Sequence, residues 1–214
     1  NEILSSVEKL SKNKLNYNEV VNQFREIGSP VVSVLSTSLQ NREMSWDQRR
    51  ITMKILGEFG SESISAFKIG LKDKNKLVQR QAISELTEIG SEAEEVVPEL
   101  VNLLDDPDKK IREKTIEALV AINHVNEEVT KRIVMALGDE QFSVAWVAHK
   151  AVNKLELNKK EAVPFLINKL QQGNIQARRA LEKVGDSALP HLIELLKGSN
   201  KELQSTAVLI IKEF

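Results

Sequence analysis

The sequence contains no cysteine, few aromatic residues, almost no net charge and no long apolar run. The lack of cysteine excludes a disulfide framework, a thiolate zinc site and a cysteine nucleophile. Lys and Arg total 30 against 31 for Asp and Glu, which argues against a strongly basic nucleic-acid-binding chain. Apolar runs such as residues 207–211 fall far short of the ~20 residues of a membrane-spanning helix, so we expect no membrane span. A hydrophobic fraction of 41% predicts a folded chain with a sizeable core.

The residues that could carry chemistry form no recognisable catalytic or metal-binding motif. The three histidines, His124, His149 and His191, lie far apart, and none belongs to a His-Glu-x-x-His zinc motif. A Gly-x-Gly-x-x-Gly loop, a phosphate-binding loop and a Gly-x-Ser-x-Gly elbow are also missing. We therefore expect a protein that is not an enzyme and that uses neither a metal nor a cofactor.

A recurring phrase divides the chain into units of similar length. The phrase is an apolar helical ending closed by a turn residue, as in Leu86-Thr87-Glu88-Ile89-Gly90. Its closing residues are spaced 29 to 33 residues apart and lie at Gly28, Gly60, Gly90, Asn123, Glu156 and Gly185. The predicted units are 1–28, 29–60, 61–90, 91–123, 124–156, 157–185 and 186–214, within a single repeat domain 1–214.

Each unit has the pattern of two helices, and the unit 91–123 shows it most clearly. Ser91 is expected to cap its first helix, and apolar residues then recur at helical spacing up to Leu104. The segment 105–108 has turn chemistry, and a second apolar stripe begins at Ile111. Asn123 is expected to take the left-handed conformation that ends the helix, as the glycines do elsewhere. Because a hairpin of this size cannot bury its apolar face alone, we expect neighbouring hairpins to stack.

The pattern resembles HEAT repeats, in particular the short HEAT-like subclass also found in phycobilisome lyase subunits. The resemblance covers about residues 16–214 and rests on the prolines Pro98, Pro164 and Pro190 in the first helices, and on the acidic turn 103–106 that leads to Ile111-Arg112. It implies an all-α, right-handed α-α superhelix (solenoid) of about seven helical hairpins. It also implies that the second helices line a concave side, while a proline in the middle of each first helix bends the convex side.

The second helices present two neighbouring columns of residues that we expect to be exposed on the concave face. One column contains Lys54, Ser84, Glu117, Lys150 and Arg179, and the other contains Arg50, Arg80, Glu113 and Trp146. Trp and Arg are common anchors of protein interfaces, so Trp146 is the first candidate, with packing against the adjacent helix as the alternative. His149 shares a column with Met53, Ile83 and Ile116 and is therefore expected to be buried.

The predicted function is a non-enzymatic scaffold that binds a protein or peptide on this concave face. The subclass resemblance leaves a bilin-lyase-like helper that holds a tetrapyrrole as one alternative. A DNA-binding repair protein of the HEAT-like type is another, and the balanced charge speaks against nucleic acid.

The carboxyl-terminal end carries apolar residues where most units are polar. Leu209 and Ile210 occupy such positions, and we expect both to be exposed unless something covers them. The sequence is therefore expected to be a piece of a longer chain, whose further repeats, or another chain, contact this end.

Overall fold

The computed structural model describes residues 2–41 and 43–214, and every regular element in these two ranges is helical. Fourteen α-helices lie within this described part of the chain. The first seven are α1 (Glu2–Ser11), α2 (Tyr17–Ile27), α3 (Ser29–Ser38), α4 (Trp46–Gly57), α5 (Ile64–Leu71), α6 (Lys76–Ile89) and α7 (Val97–Leu103). The others are α8 (Lys109–Ile122), α9 (Glu127–Ala136), α10 (Phe142–Lys154), α11 (Lys159–Gln171), α12 (Ile175–Val184), α13 (Leu189–Lys197) and α14 (Lys201–Ile211).

The chain divides into two compact units, Asn1–Leu103 and Leu104–Phe214, called here the N-terminal and the C-terminal unit. In each unit, short turns join consecutive helices into hairpins that pack side by side. The predicted all-α solenoid class is confirmed, whereas the division into seven repeats stays a prediction. None of the helices in the described ranges combines the length and the apolarity that crossing a bilayer would require.

Most helices begin at a side chain that accepts hydrogen bonds from the first turn. Such a residue satisfies backbone N–H groups that have no partner within the helix. The caps of this kind are Asn16, Ser45, Asn75, Asp108, Asn126, Asn158, Asn174 and Asn200.

The closing residues identified in the sequence all have positive φ. Asn123 is left-handed with φ 57°, and the four closing glycines have φ between 57° and 76°. Gly28, Gly90, Asn123 and Gly185 directly follow a helix as predicted, whereas α4 already ends at Gly57 and Gly60 begins a 3-10 turn. Glu156 also has a φ of 50°, although its side chain makes this conformation costly. The chain therefore reverses direction with a positive φ at this position, although Glu does not favour that conformation.

The prediction of a proline in the middle of each first helix is correct only for Pro164, which lies inside α11. Pro98 and Pro190 are the second residues of α7 and α13, where the missing N–H costs no helical hydrogen bond. Short 3-10 turns, Gly90–Val96 and Gly185–Ala188, precede these two helices. Ser91 therefore lies inside a 3-10 turn and does not cap an α-helix, so the prediction that it caps the first helix is wrong.

The N-terminal unit is held by packing of second helix on second helix and by ion pairs, of which the pair between Arg49 and Asp73 is the most buried. Helix α4 packs against α6, and the fully buried Phe67 of α5 fills the space beneath them. The guanidinium of Arg49, at the start of α4, donates to both oxygens of Asp73 at 2.6 and 3.0 Å. Burial has the largest single effect and opposes the charge on Asp73, but the hydrogen bonds from Arg49 and from the backbone N–H of Asn75, together with the positive charge of Arg49, outweigh it and lower the pKa of the carboxyl.

The C-terminal unit repeats this arrangement with a more buried pair. Helix α8 packs against α10, and Arg112 donates from Nε and Nη2 to Asp139 at 2.8 Å each. The same guanidinium donates from Nη1 to the carbonyl of Asp106 at 2.8 Å, while Asp139 accepts from the backbone N–H of Gln141. The pair thus fastens the turn before α8 and the turn before α10 to each other.

At the carboxyl-terminal end, the expectation of exposed apolar residues is partly wrong. Leu209 and Val208 are exposed, but Ile210 is fully buried. Ala207 and Ile210 lie three residues apart on one side of α14, and this side packs against α13 and α12.

Candidate interaction surface

Helix α10 carries three aromatic rings along its outer side. Phe142, Trp146 and His149 follow one another at spacings of four and three residues, which places them on one helix face. The ring centroids of Phe142 and Trp146 are 6.4 Å apart, and those of Trp146 and His149 are 6.0 Å apart, with nearly parallel planes. Trp146 is 53% exposed and Phe142 is 81% exposed. We call these three residues the aromatic strip.

Helix α12, the second helix that follows α10, makes its main contacts with elements other than α10. Helix α12 packs against α9 and α11, and its residues 176–180 lie directly on Gly138. A Cβ at Gly138 would overlap the carbonyl oxygen of Gln176, so only glycine permits this approach. Because α12 crosses the turn before α10, the outer side of α10 is left open.

The prediction that His149 is buried is therefore wrong. Its counterparts Met53, Ile83 and Ile116 are buried, but His149 is exposed and stacks on Trp146. One imidazole nitrogen lies 3.3 Å from the side-chain amide of Asn153, one turn further along α10.

The expectation that Glu113 is exposed is also wrong, since it is 8% exposed on α8. Its Oε2 accepts from Lys110 Nζ at 2.7 Å. Burial has the largest single effect and disfavours the charged form. The hydrogen bonds from Lys110 and Ser143 and the charges of Lys110 and Lys109 together prevail and hold the pKa of Glu113 below its ordinary value. Glu113 is thus buried on α8 and paired with Lys110, and it is not available to a binding partner.

In the C-terminal unit, the other predicted site residues lie at the surface. Glu117 of α8, Lys150 of α10 and Arg179 of α12 are all exposed. Lys150 follows Trp146 by four residues and shares its helix face. The structure therefore brings Trp146 and Lys150 together on α10, with Arg179 on the next second helix of the same unit.

In the N-terminal unit, the predicted site residues interact within their own surroundings. Lys54 is exposed, with its ammonium 4.1 Å from the centroid of the Tyr17 ring. Arg50 donates to Asp47 at 3.0 Å, Arg80 donates to the carbonyl of Lys76, and Ser84 is half-buried on α6. These contacts account for the charges of Arg50 and Lys54 without any partner protein.

An acidic group close to these residues has a perturbed ionisation. The Glu85 carboxyl lies against Gly57 and accepts from the Gln81 amide at 2.5 Å. Burial raises the pKa of Glu85, and the charges of Glu58 and Glu88 add to the rise against the opposing Gln81 hydrogen bond.

Sequence analysis did not identify Phe142 or Ile175, two of the most exposed apolar residues of the C-terminal unit. Ile175, the first residue of α12, is 67% exposed. Both residues lie four positions before a predicted site residue, Trp146 and Arg179 respectively, and this spacing was the available signal.

A surface cavity of about 480 Å³ opens between the starts of α8, α10 and α12. Ile175 and Arg179 line it from α12, and Glu140 lines it from the turn just before Phe142. The paired side chains of Arg112 and Asp139 also line it. The turn before α10 and the start of α12 therefore border one depression.

The outer sides of α10 and α12 are basic. Lys150, Lys154, Arg179 and Lys183 are exposed, and the structure records no ion pair for them among the residues it describes. The only carboxylate on either helix, that of Glu182, pairs with Arg178 at 3.1 Å. We call the aromatic strip, Ile175 and these four cations the α10–α12 face.

Side chains typical of metal centres do not cluster in the part of the chain that the structure describes. In residues 2–41 and 43–214, no group of three His, Asp or Glu side chains could hold a metal ion.

Helical hairpins that pack side by side within each unit define an α-helical repeat protein. The family model for HEAT repeats matches residues 32–120 and again residues 64–151, which together span more than half of the sequence. The chain belongs to the HEAT-repeat family.

Several solved structures are similar to this chain. The Escherichia coli protein YibA matches with a TM-score of 0.51 and 20% identity, over 86% of this chain and 68% of that protein. A designed armadillo repeat protein in complex with the peptide (KR)4 matches with a TM-score of 0.48 and 21% identity, over 98% of this chain and 92% of that one. An engineered protein matches with a TM-score of 0.46 and 20% identity, over 85% and 95% of the two chains. A search of curated proteins finds no match.

Proposed function

We propose that this protein is a binding scaffold that recognises a segment of another protein on the second helices of its C-terminal unit. The observation that carries the proposal is the aromatic strip, in which a half-exposed Trp146 lies between two other exposed rings. Exposed aromatic clusters on soluble proteins commonly mark interaction sites, and Trp contributes disproportionately to binding energy.

The rigidity of the surface supports this function. The strip lies on a regular helix, and the Arg112–Asp139 pair fastens the turn before this helix. A surface whose side chains are held in place loses little conformational entropy when it binds. The tetrapyrrole-binding and DNA-repair alternatives stay predictions, as does the concave shape that the family resemblance implies.

The proposal is tested by selecting short random peptides from a phage-displayed library on the wild-type protein. We expect the selected peptides to lose about 30-fold or more in affinity with Trp146→Ala, the loss typical of an interface hot spot. Trp46→Ala is the matched control, because Trp46 is also an exposed Trp on a second helix, but of the N-terminal unit. Circular dichroism verifies that both variants are folded.

Peptides that bind Trp146→Ala as tightly as the wild type would contradict the proposal. Failure to select any peptide that depends on the C-terminal unit would contradict it as well.

A further inference from the structure

We propose that the segment bound by the α10–α12 face is acidic and carries a large apolar side chain at one end. This inference rests on the proposed function and adds the chemical class of the partner. It follows from the way in which apolar and charged residues are ordered along two helices of the same compact unit.

The two helices repeat one pattern from their amino-terminal ends. In α10, Phe142 is followed at spacings of four by Trp146 and Lys150. In α12, Ile175 is followed at the same spacings by Arg179 and Lys183. Residues four apart share a helix face, so each helix presents an apolar end and a cationic end.

The turn before α10 and the start of α12 border the same cavity. Ile175 lines it directly, and Glu140 lines it two residues before Phe142. Phe142 and Ile175 are highly exposed, and covering them would remove apolar surface from water. A large apolar side chain of a partner therefore fits at this end of the face.

The cationic ends would pair with carboxylates of a bound segment. Lys150, Lys154 and Lys183 lie beyond the apolar ends, and Arg179 lies one turn after Ile175 and also lines the cavity. The one carboxylate of α10 and α12, Glu182, is already paired. From Phe142 to Lys150 the helix rises about 12 Å, a distance that about four extended residues span. The complementary segment thus has carboxylates about four residues from its apolar anchor.

The charge distribution favours a polypeptide over a nucleic-acid strand. A strand of phosphates needs cations along its whole path. Here three of the four cations occupy one end of the face, while the exposed carboxylates of Glu140 and Glu117 lie at the cavity and on α8. A protein segment can place its own charges at one end only, whereas a nucleic acid cannot.

The test uses fluorescein-labelled pools of short random peptides. Every peptide contains a Leu-Trp pair, followed by residues that are Glu-rich, Gln-rich or Lys-rich, and a single-stranded thymidine oligonucleotide is the fourth probe. Binding to the full chain is measured by fluorescence anisotropy at several salt concentrations.

At low salt, we expect the Glu-rich pool to bind about 10-fold more tightly than the Lys-rich pool, and the difference to shrink as salt screens it. The double variant Lys150→Glu/Arg179→Glu is expected to reverse this preference. The matched control Lys72→Glu/Lys74→Glu alters two exposed lysines of the N-terminal unit and is expected to leave the preference unchanged.

Other outcomes overturn the inference in separable ways. If Lys-rich or Gln-rich peptides bind equally well and still depend on Trp146, the partner is not acidic but the proposed function stands. Tighter, Trp146-dependent binding of the oligonucleotide would mean that the partner is a nucleic acid. If no pool depends on Trp146 although selected phage peptides do, the assigned order of apolar and acidic residues is wrong.

Discussion

The buried ion pair between Arg112 and Asp139 gives the sharpest test of how the C-terminal unit is held together. Their side chains are only 10% and 4% exposed, and two hydrogen bonds of 2.8 Å join them. The perturbation is Asp139→Ala, which leaves the guanidinium between α8 and the turn before α10 without its carboxylate.

The expected loss follows from this burial. Removing one partner of a buried pair leaves an uncompensated charge and costs about 3–5 kcal/mol. The lower end of this range applies, because Arg112 keeps its hydrogen bonds to the carbonyls of Asp106 and Pro107. The control is Asp105→Ala, which breaks an ion pair with Arg132. Because the Asp105 side chain is 67% exposed, this change is expected to lower the free energy of unfolding by less than about 1 kcal/mol.

The free energy of unfolding is measured by urea titration followed by circular dichroism. Hydrogen exchange of the α8 and α10 amides then locates the loss, since repeat proteins can open locally. The double variant Arg112→Met/Asp139→Leu is expected to be more stable than Asp139→Ala, because it removes both charges. If Asp139→Ala lies within about 1 kcal/mol of the wild type, the pair does not stabilise this unit as argued.

Three further substitutions probe other parts of the account. Gly138→Ala places a Cβ against the backbone of α12 and is expected to lower the free energy of unfolding by about 1–3 kcal/mol. The control Gly198→Ala is expected to have a smaller effect, because its Cβ would meet only the Leu195 carbonyl oxygen, at 3.3 Å. Equal losses in urea titrations would contradict this argument. Glu156→Gly relieves a positive φ and is expected to raise the free energy of unfolding by up to about 1 kcal/mol. The melting temperature should rise accordingly, and a lower melting temperature would contradict this prediction. Glu85→Gln removes a carboxyl whose pKa is higher in the folded than in the unfolded protein. This carboxyl stabilises the fold at a pH below the pKa of the unfolded state, and the stabilisation is lost as the pH rises through the pKa of the folded state. We expect the variant to be more stable than the wild type at neutral pH but not in acid, and parallel pH–stability curves would refute this.

The fold could be predicted because its determinants are local and repeated. Apolar spacing fixed the helices, and the closing residues such as Gly90 and Asn123 marked where each pair ends, because these positions need positive φ. Even the unfavourable Glu156 was placed correctly, since the register of neighbouring units identified it. The start of α7 was placed too early, because the acidic residues after Ser91 suit a 3-10 turn as well as an α-helix.

The candidate site could be predicted only in part, because it depends on how the helices pack, and the sequence pattern does not show this packing. Aligned columns implied that His149 would be buried and Glu113 exposed, and both interpretations assumed that every second helix meets its neighbours in the same way. The close approach of α12 at Gly138 changes that arrangement and exposes His149. Glu113 is covered despite its polarity, with Lys110 as its partner. Of the α10–α12 face, the sequence identified Trp146, Lys150 and Arg179, and it singled out Trp146 because a large aromatic stands where related positions are polar.

The most direct test of the central claim is backbone-amide chemical-shift mapping of the isotope-labelled protein during titration with the Glu-rich Leu-Trp peptide pool. If the α10–α12 face is the binding site, the largest shifts will fall within Phe142–Lys154 and Ile175–Val184 and will disappear with Trp146→Ala. Shifts confined to the N-terminal unit, or to the first helices α9 and α11, would contradict the account.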